Sequence, residues 1–223
     1  MILGYLKVKG RMEPLRYLLS YLDVKYTEKY HDHREWFRTR DLYDFDFPNL
    51  PYLIDGKTKI TDTSAIVTYI VHKYGNKALL GKPGKDEITY LSLEGLFGDI
   101  FREMLNVIFN KEYKKVYEKK LKLFFYTKLG YLERFIGDKE YLLGYMTVAD
   151  LLLLSMTDMF IVIDNKLDRE PVINKYPKLK ALRNRLLSQD FVRKVRENEN
   201  TNEFPFFSKL FAKMDVQSSY PKL

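Results

Sequence analysis

Asp46-Phe47-Pro48-Asn49-Leu50-Pro51-Tyr52-Leu53-Ile54-Asp55-Gly56 restricts the fold of this chain more than any other stretch. Pro51 has no backbone N–H and heads an apolar run that stops at Asp55-Gly56, so it starts a strand leading into a tight hairpin. Lys57 to Thr61 is then the return strand. An X-Pro bond in such a turn is sometimes cis, and a cis Leu50-Pro51 would aim the N–H and C=O of Leu50 away from the sheet. Two readings follow: an ordinary strand start, or a backbone edge on which an extended, peptide-like ligand docks.

The chain before this stretch reads as a βαβ unit. Ile2 to Leu6 is a short strand, and Met12 to Tyr21 is a helix in which Leu15, Leu18, Leu19 and Leu22 keep helical spacing. Pro14 fits its first turn. Tyr26 to Tyr30 is the second strand, which favours a parallel pair with a right-handed crossover. His31 to Asp46 is an irregular or short-helical connection. After the hairpin, Asp62-Thr63-Ser64 offers capping side chains for a helix carrying Ala65, Ile66, Tyr69 and Ile70.

Breakers crowd the stretch from Gly75 to Gly84, and long helical periodicities dominate beyond it: Lys85 to Asn110, Glu112 to Phe135, Val148 to Asp164, Lys178 to Leu187 and a short segment near Phe191. Thr147-Val148-Ala149-Asp150 is a capping-box analogue, with Met146 and Leu151 spaced as its hydrophobic staple. The fold expected is α/β plus all-α: a βαβ-ββα domain over residues 1–75, a linker over 76–84, and an all-helical domain with a tail over 85–223. The tail from Phe204 is expected to pack back only through its aromatics.

Composition narrows the chemistry. Forty-six per cent hydrophobic residues sustain a sizeable core. With no Cys there is no disulfide, thiolate metal site or cysteine nucleophile, so any catalytic sulfur arrives with a substrate. Met1 to Lys9 lacks the pattern of a signal peptide, and the apolar run Leu151 to Ile163 contains Ser155 and Asp158 and is too short to span a bilayer. A cytoplasmic protein without a membrane partner is expected. The net charge of +8 concentrates in Lys111 to Lys122, where Val116, Leu121, Phe124 and Phe125 supply a buried side and the lysines a wet one. Without a recognisable binding motif, no nucleic-acid partner is expected.

Several of these pieces together resemble the cytosolic glutathione transferases. They are Leu3-Gly4-Tyr5 followed by Gly10, the 46–56 stretch, the helix start Pro177-Lys178-Leu179-Lys180, and Phe211-Ala212-Lys213-Met214. The 46–56 stretch is close to the mu-class form, while the connection before Trp36 lacks the longer mu-class loop, so the chain is mu-like. The resemblance implies a thioredoxin-like first domain, a helical second one, and a homodimer. It also implies a detoxifying glutathione S-transferase that joins the glutathione thiolate to small electrophiles, with glutathione as co-substrate and no metal.

Carried over residue by residue, the resemblance makes Tyr5 the catalytic donor to the glutathione sulfur. Lowering a thiol from about 8.5 by two units takes roughly 2.7 kcal/mol, within reach of a hydrogen bond to an anion in a shielded site. Trp36 and Arg40 would hold the glycine carboxylate. Leu6, Asn49 and the Leu50 backbone beside Pro51 would meet the rest of the tripeptide, with Thr63 taking the γ-glutamyl carboxylate. Asp62 would meet the ammonium, joined by Asp99 offered across to the neighbouring subunit. Phe47 would be the aromatic key of the dimer, and Val8, Arg11 and Phe109 would line the electrophile pocket.

Taken alone, Tyr5 is one of 18 tyrosines and reads as core; Trp36 reads as a half-buried aromatic, Arg40 as a solvated charge and Thr63 as a plain cap. Against the mu-class pattern, Asp62 replaces a glutamine, Leu6 a tryptophan, Phe109 a tyrosine and Arg11 an apolar residue. These departures leave open a non-catalytic ligand-binding or structural member of the same fold. An isomerase or peroxidase using the same thiolate also stays open.

Overall fold

The computed structural model describes residues 1–208, 212–214 and 220–221; Phe211 of the 211–214 segment lies outside them. Strands β1 (Ile2–Leu6), β2 (Thr27–His31), β3 (Tyr52–Asp55) and β4 (Thr58–Thr61) form one sheet in the order β2-β1-β3-β4. β1 and β2 run parallel, joined across helix α1 (Glu13–Tyr21), and β3 is antiparallel to both β1 and β4. β2 starts at Thr27 rather than Tyr26 and takes in His31, because Ile2 pairs with Thr27 and Leu6 with His31. Gly4 pairs with Tyr52, and a Cβ there would lie 2.0 Å from the Tyr52 ring, so only glycine lets that ring cross β1. Tyr52 is fully buried, with its hydroxyl 2.9 Å from His31 Nε2.

The connection after β2 contains α2 (His33–Thr39), capped by Asp32, whose carboxylate accepts from Arg34 N at 2.8 Å and Glu35 N at 3.3 Å. Under it Trp36, Phe45 and Tyr52 form a small aromatic core separate from the main one. Helix α3 (Thr63–Tyr74) follows the hairpin, and a short 3-10 turn, Lys77–Leu80, sits within the breaker-rich stretch.

The remaining helices are α4 (Lys85–Ile108), α5 (Tyr113–Lys120), α6 (Tyr126–Ile136), α7 (Val148–Lys166), α8 (Pro177–Leu187) and α9 (Asp190–Arg196). The helix expected over Glu112 to Phe135 is interrupted by a π-helical turn, Leu121–Phe125. Over Lys111 to Phe125 the buried side is Tyr117, Leu121 and Phe125; Val116 and Phe124, expected there, are only half-buried. Tyr117 displaces them because its hydroxyl reaches Asp164 at 2.9 Å, giving a buried carboxylate a donor.

Helix α7 is buried along most of its length and forms the centre of the helical part. Its start follows the capping-box expectation: the Thr147 N–H and hydroxyl donate to Asp150 at 2.8 and 2.9 Å, and the same carboxylate accepts from Leu142 N at 2.9 Å. Asp158, also buried, pairs with Arg183 of α8 at 2.6 Å and with Arg196 of α9. Among the described residues no helix is long and apolar enough to cross a membrane.

The tail does not pack through aromatics alone. Lys9 and Gly10 donate main-chain N–H bonds to Pro205 O at 2.8 Å and Phe206 O at 3.1 Å, and Lys213 N donates to Ile108 O at 2.9 Å. The turn after β1 has N–H groups with no strand partner, and the tail carbonyls satisfy them.

Candidate active site

β1 delivers Tyr5 to the end of the sheet, where the chain turns sharply to start α1. Gly10, at φ +41°, is part of that turn, and a Cβ on it would lie 2.8 Å from the Tyr5 hydroxyl. The turn brings Arg11 N–H to within 3.2 Å of Tyr5 Oη, to which it donates. Tyr5 is only 9% exposed, and burial raises its pKa against the smaller opposing pull of the Arg11 N–H and the Arg11 and Arg16 charges. The phenol is therefore protonated at neutral pH. Because its oxygen already accepts from the backbone, its proton is available to an acceptor in the cleft.

That cleft, about 440 Å³, brings together most of the residues picked from the sequence. Tyr5, Leu6, Val8 and Arg11 come from the β1–α1 turn, Trp36 from α2, Asn49 and Leu50 from the loop before β3, and Phe109 from the end of α4. Trp36 is buried, not half-buried. The Leu50-Pro51 bond is cis. The Leu50 N–H, however, is not left open to a ligand: Asn49 Oδ1 accepts it at 2.9 Å.

A smaller recess of about 90 Å³ lies alongside, bordered by Gly10, Arg11, Thr63, Ser64, Glu94 and Phe101 among others. Thr63 Oγ1 is buried there without a hydrogen-bond partner among the described residues. Capping of α3 falls to Asp62, whose carboxylate accepts from Ser64 N at 3.0 Å while its backbone is held at φ +76°. The Asp62 N–H in turn donates to Pro51 O at 3.3 Å, tying the helix start to the cis-proline loop.

Five predicted residues line neither space: Pro51 and Asp62, which border them through Leu50 and Thr63, and Arg40, Asp99 and Phe47, which stand further off. Arg40 sits past the end of α2 with its guanidinium carbon 5.3 Å from the Phe37 ring and its Nε 3.8 Å from Asp41. Asp99, on α4, is half-exposed and pairs with Arg102 at 3.1 Å. Phe47 is 81% exposed.

Sequence reasoning missed the far wall: Phe101 and Leu105 of α4, Phe206, Phe207 and Ser208 of the tail, and His33 and Phe37 of α2. One signal was present, since Phe97, Phe101, Leu105 and Phe109 recur every four residues along one helix face.

A four-stranded sheet with a cis-proline loop beside a first-strand tyrosine, closed over by a helical wall, defines a thioredoxin-like protein of the glutathione-transferase type. The chain belongs to the glutathione S-transferase family: residues 1–72 match the model for the glutathione S-transferase N-terminal domain and 98–199 that for the C-terminal domain. It is 36% identical over 184 residues to the class-mu 26 kDa isozyme of Schistosoma mansoni, covering 79% of this chain and 78% of that one. Isozyme 51 of Fasciola hepatica is 30% identical, with 92% of each chain covered. Among solved structures, the glutathione S-transferase Blo t 8 superposes with a TM-score of 0.82 over 96% of this chain and 99% of that one, at 24% identity. That last likeness speaks for the fold.

Proposed function

We propose that this chain conjugates the thiolate of reduced glutathione to small electrophiles in the cytoplasm, as a detoxifying transferase acting as a homodimer. Residues 1–75 form the glutathione-binding domain, 76–84 the linker and 85–223 the helical domain that walls the electrophile side. The observation that carries the reading is the Tyr5 hydroxyl: protonated, lining the cleft, and fixed from behind by Arg11 N–H at 3.2 Å.

In this reading Tyr5 donates to the sulfur and favours its charged form, while Trp36 and Leu50 hold the peptide and Thr63 takes the γ-glutamyl carboxylate at the α3 N-terminus. Leu50 must exchange its bond with Asn49 for one to glutathione as the peptide enters. Thr63 Oγ1, buried and unpaired, gains the acceptor it lacks. Arg40 reaches the glycine carboxylate only by leaving Phe37. For the dimer, the exposed Phe47 matches an apolar socket of about 280 Å³ formed by Leu93, Leu96, Tyr131, Leu132 and Phe135.

The test is Tyr5→Phe with a chloronitrobenzene acceptor. Loss of one hydrogen bond to the developing anion lowers turnover about 100-fold and moves the rising limb of the pH–rate profile toward the free-thiol value near 8.5, with glutathione binding retained. In the unsubstituted protein the raised Tyr5 pKa keeps the donor intact, so no falling limb appears below about pH 10. Undiminished turnover in Tyr5→Phe would refute the assignment.

A further inference from the structure

The electrophile side of the cleft is apolar on almost every face, with Leu6, Val8, Leu105, Phe109, Phe206 and Phe207 as its walls. A cation interrupts them. The Arg11 guanidinium stands 4.4 Å from the centre of the Phe101 ring and forms no ion pair among the described residues. Nearby Arg16, by contrast, is held by Glu13 at 2.9 Å and Glu28 at 2.8 Å. The adjoining open recess continues the positive character with Lys7 and Arg34; its carboxylate, Asp32, is committed to capping α2.

Arg11 is exposed in the open cleft, and a flat acceptor seated against the apolar walls would cover one side of the pair, so that the anion gains more from the cation than it would in free water. A guanidinium stacked on an aromatic ring is also pre-oriented, with its fork of N–H donors free at the edge to take a planar anion by two bonds. Uncharged acceptors have no use for that fork.

We propose that Arg11 makes the cleft selective for flat aromatic electrophiles that carry a carboxylate, or a similar planar anion, on the ring. This rests on the conjugation reading. With such an acceptor the glutathione sulfur forms a bond to the ring carbon bearing chlorine, the carbon–chlorine bond breaks, and chloride leaves with the bonding pair. Arg11 touches neither breaking nor forming bond; it holds the far edge of the ring. The hydrogen bond to Tyr5 uses the main-chain N–H and survives a change of side chain; loss of the guanidinium charge adds to the upward shift of the Tyr5 pKa and acts on both acceptors alike, so their ratio isolates the contact to the ring anion.

The experiment compares 4-chloro-3-nitrobenzoate with 4-chloro-3-nitrobenzamide at saturating glutathione, each kcat/KM divided by the uncatalysed rate of that acceptor with glutathione. The protein favours the benzoate by about tenfold, the effect of one charge-assisted two-pronged contact. Arg11→Gln removes the preference through the benzoate KM, and Arg11→Lys keeps part of it. A normalised ratio near one, or a ratio unchanged in Arg11→Gln, overturns the proposal and leaves conjugation standing. So does a rise in the glutathione KM instead of the benzoate KM, which would give the guanidinium to the tripeptide. Absence of glutathione-dependent turnover with either acceptor overturns the conjugation reading itself.

Discussion

Asp62 carries opposing demands on one residue. Its φ of +76° lies where a non-glycine residue costs about 1–3 kcal/mol, while its carboxylate caps α3 through Ser64 N. Glycine removes the first cost and forfeits only a few tenths of a kcal/mol as a cap. Asp62→Gly is therefore expected to raise stability by about 1 kcal/mol in urea unfolding and, if Asp62 meets the ammonium as proposed, to raise the glutathione KM about fivefold. Unchanged KM would remove Asp62 from the binding set. The sequence marked this position as unusual by its side chain, but the strained backbone is set by the join to Pro51 and has no local signature. Tyr5, which taken alone reads as core, was singled out by resemblance through Gly4 and Gly10, and these are glycines because Tyr52 and the Tyr5 hydroxyl occupy the space a Cβ would need.

At the level of elements, apolar spacing located most helices because they bury one face, while β1 and the central α7, buried on all sides, showed as apolar runs instead. It missed the π-helical turn at Leu121–Phe125, where burial continues without a change of composition. It also missed how the tail docks, since those contacts run through main-chain groups common to every sequence. Lys9 docks the tail through its side chain as well, which the sequence reading also missed. It is fully buried, its Nζ donating to Asn202 O at 2.8 Å and to Phe204 O, so it pins the segment that places Phe206 and Phe207 in the cleft wall. Lys9→Met is expected to raise the acceptor KM several-fold with glutathione affinity retained. Burial lowers the Lys9 pKa from 10.5 to about 8, so between those values the unfolded chain holds a proton that the folded chain has released. Stability then rises with pH across that window, and Lys9→Met flattens the slope; urea midpoints at pH 8 and pH 10 measure it.

For the whole molecule, the cleft is an assembly of a sheet edge, one face of α4 and a tail just over two hundred positions beyond Tyr5, and only the first of these was readable from local sequence. The dimer is the remaining long-range question, and Phe47 poses it sharply. A phenylalanine 81% exposed on a loop beside the sheet gains about 2 kcal/mol if fully buried in a partner. In the proposed twofold dimer this is doubled, because each subunit would present one key and one socket. The loss of both keys then weakens association about 1000-fold, and Phe47→Ser should sediment as a monomer at micromolar concentration. Phe135→Glu, on the socket side, should do the same, and the double variant should be little worse than either single one, because both remove the same contact. If Asp99 serves the neighbouring subunit's ammonium as proposed, the monomers should also bind glutathione less tightly than the dimer, and dilution of the unsubstituted protein should reproduce that loss. An unchanged mass for Phe47→Ser, or full additivity in the double variant, would place the interface elsewhere and leave the groove between α4 and α6 without its partner.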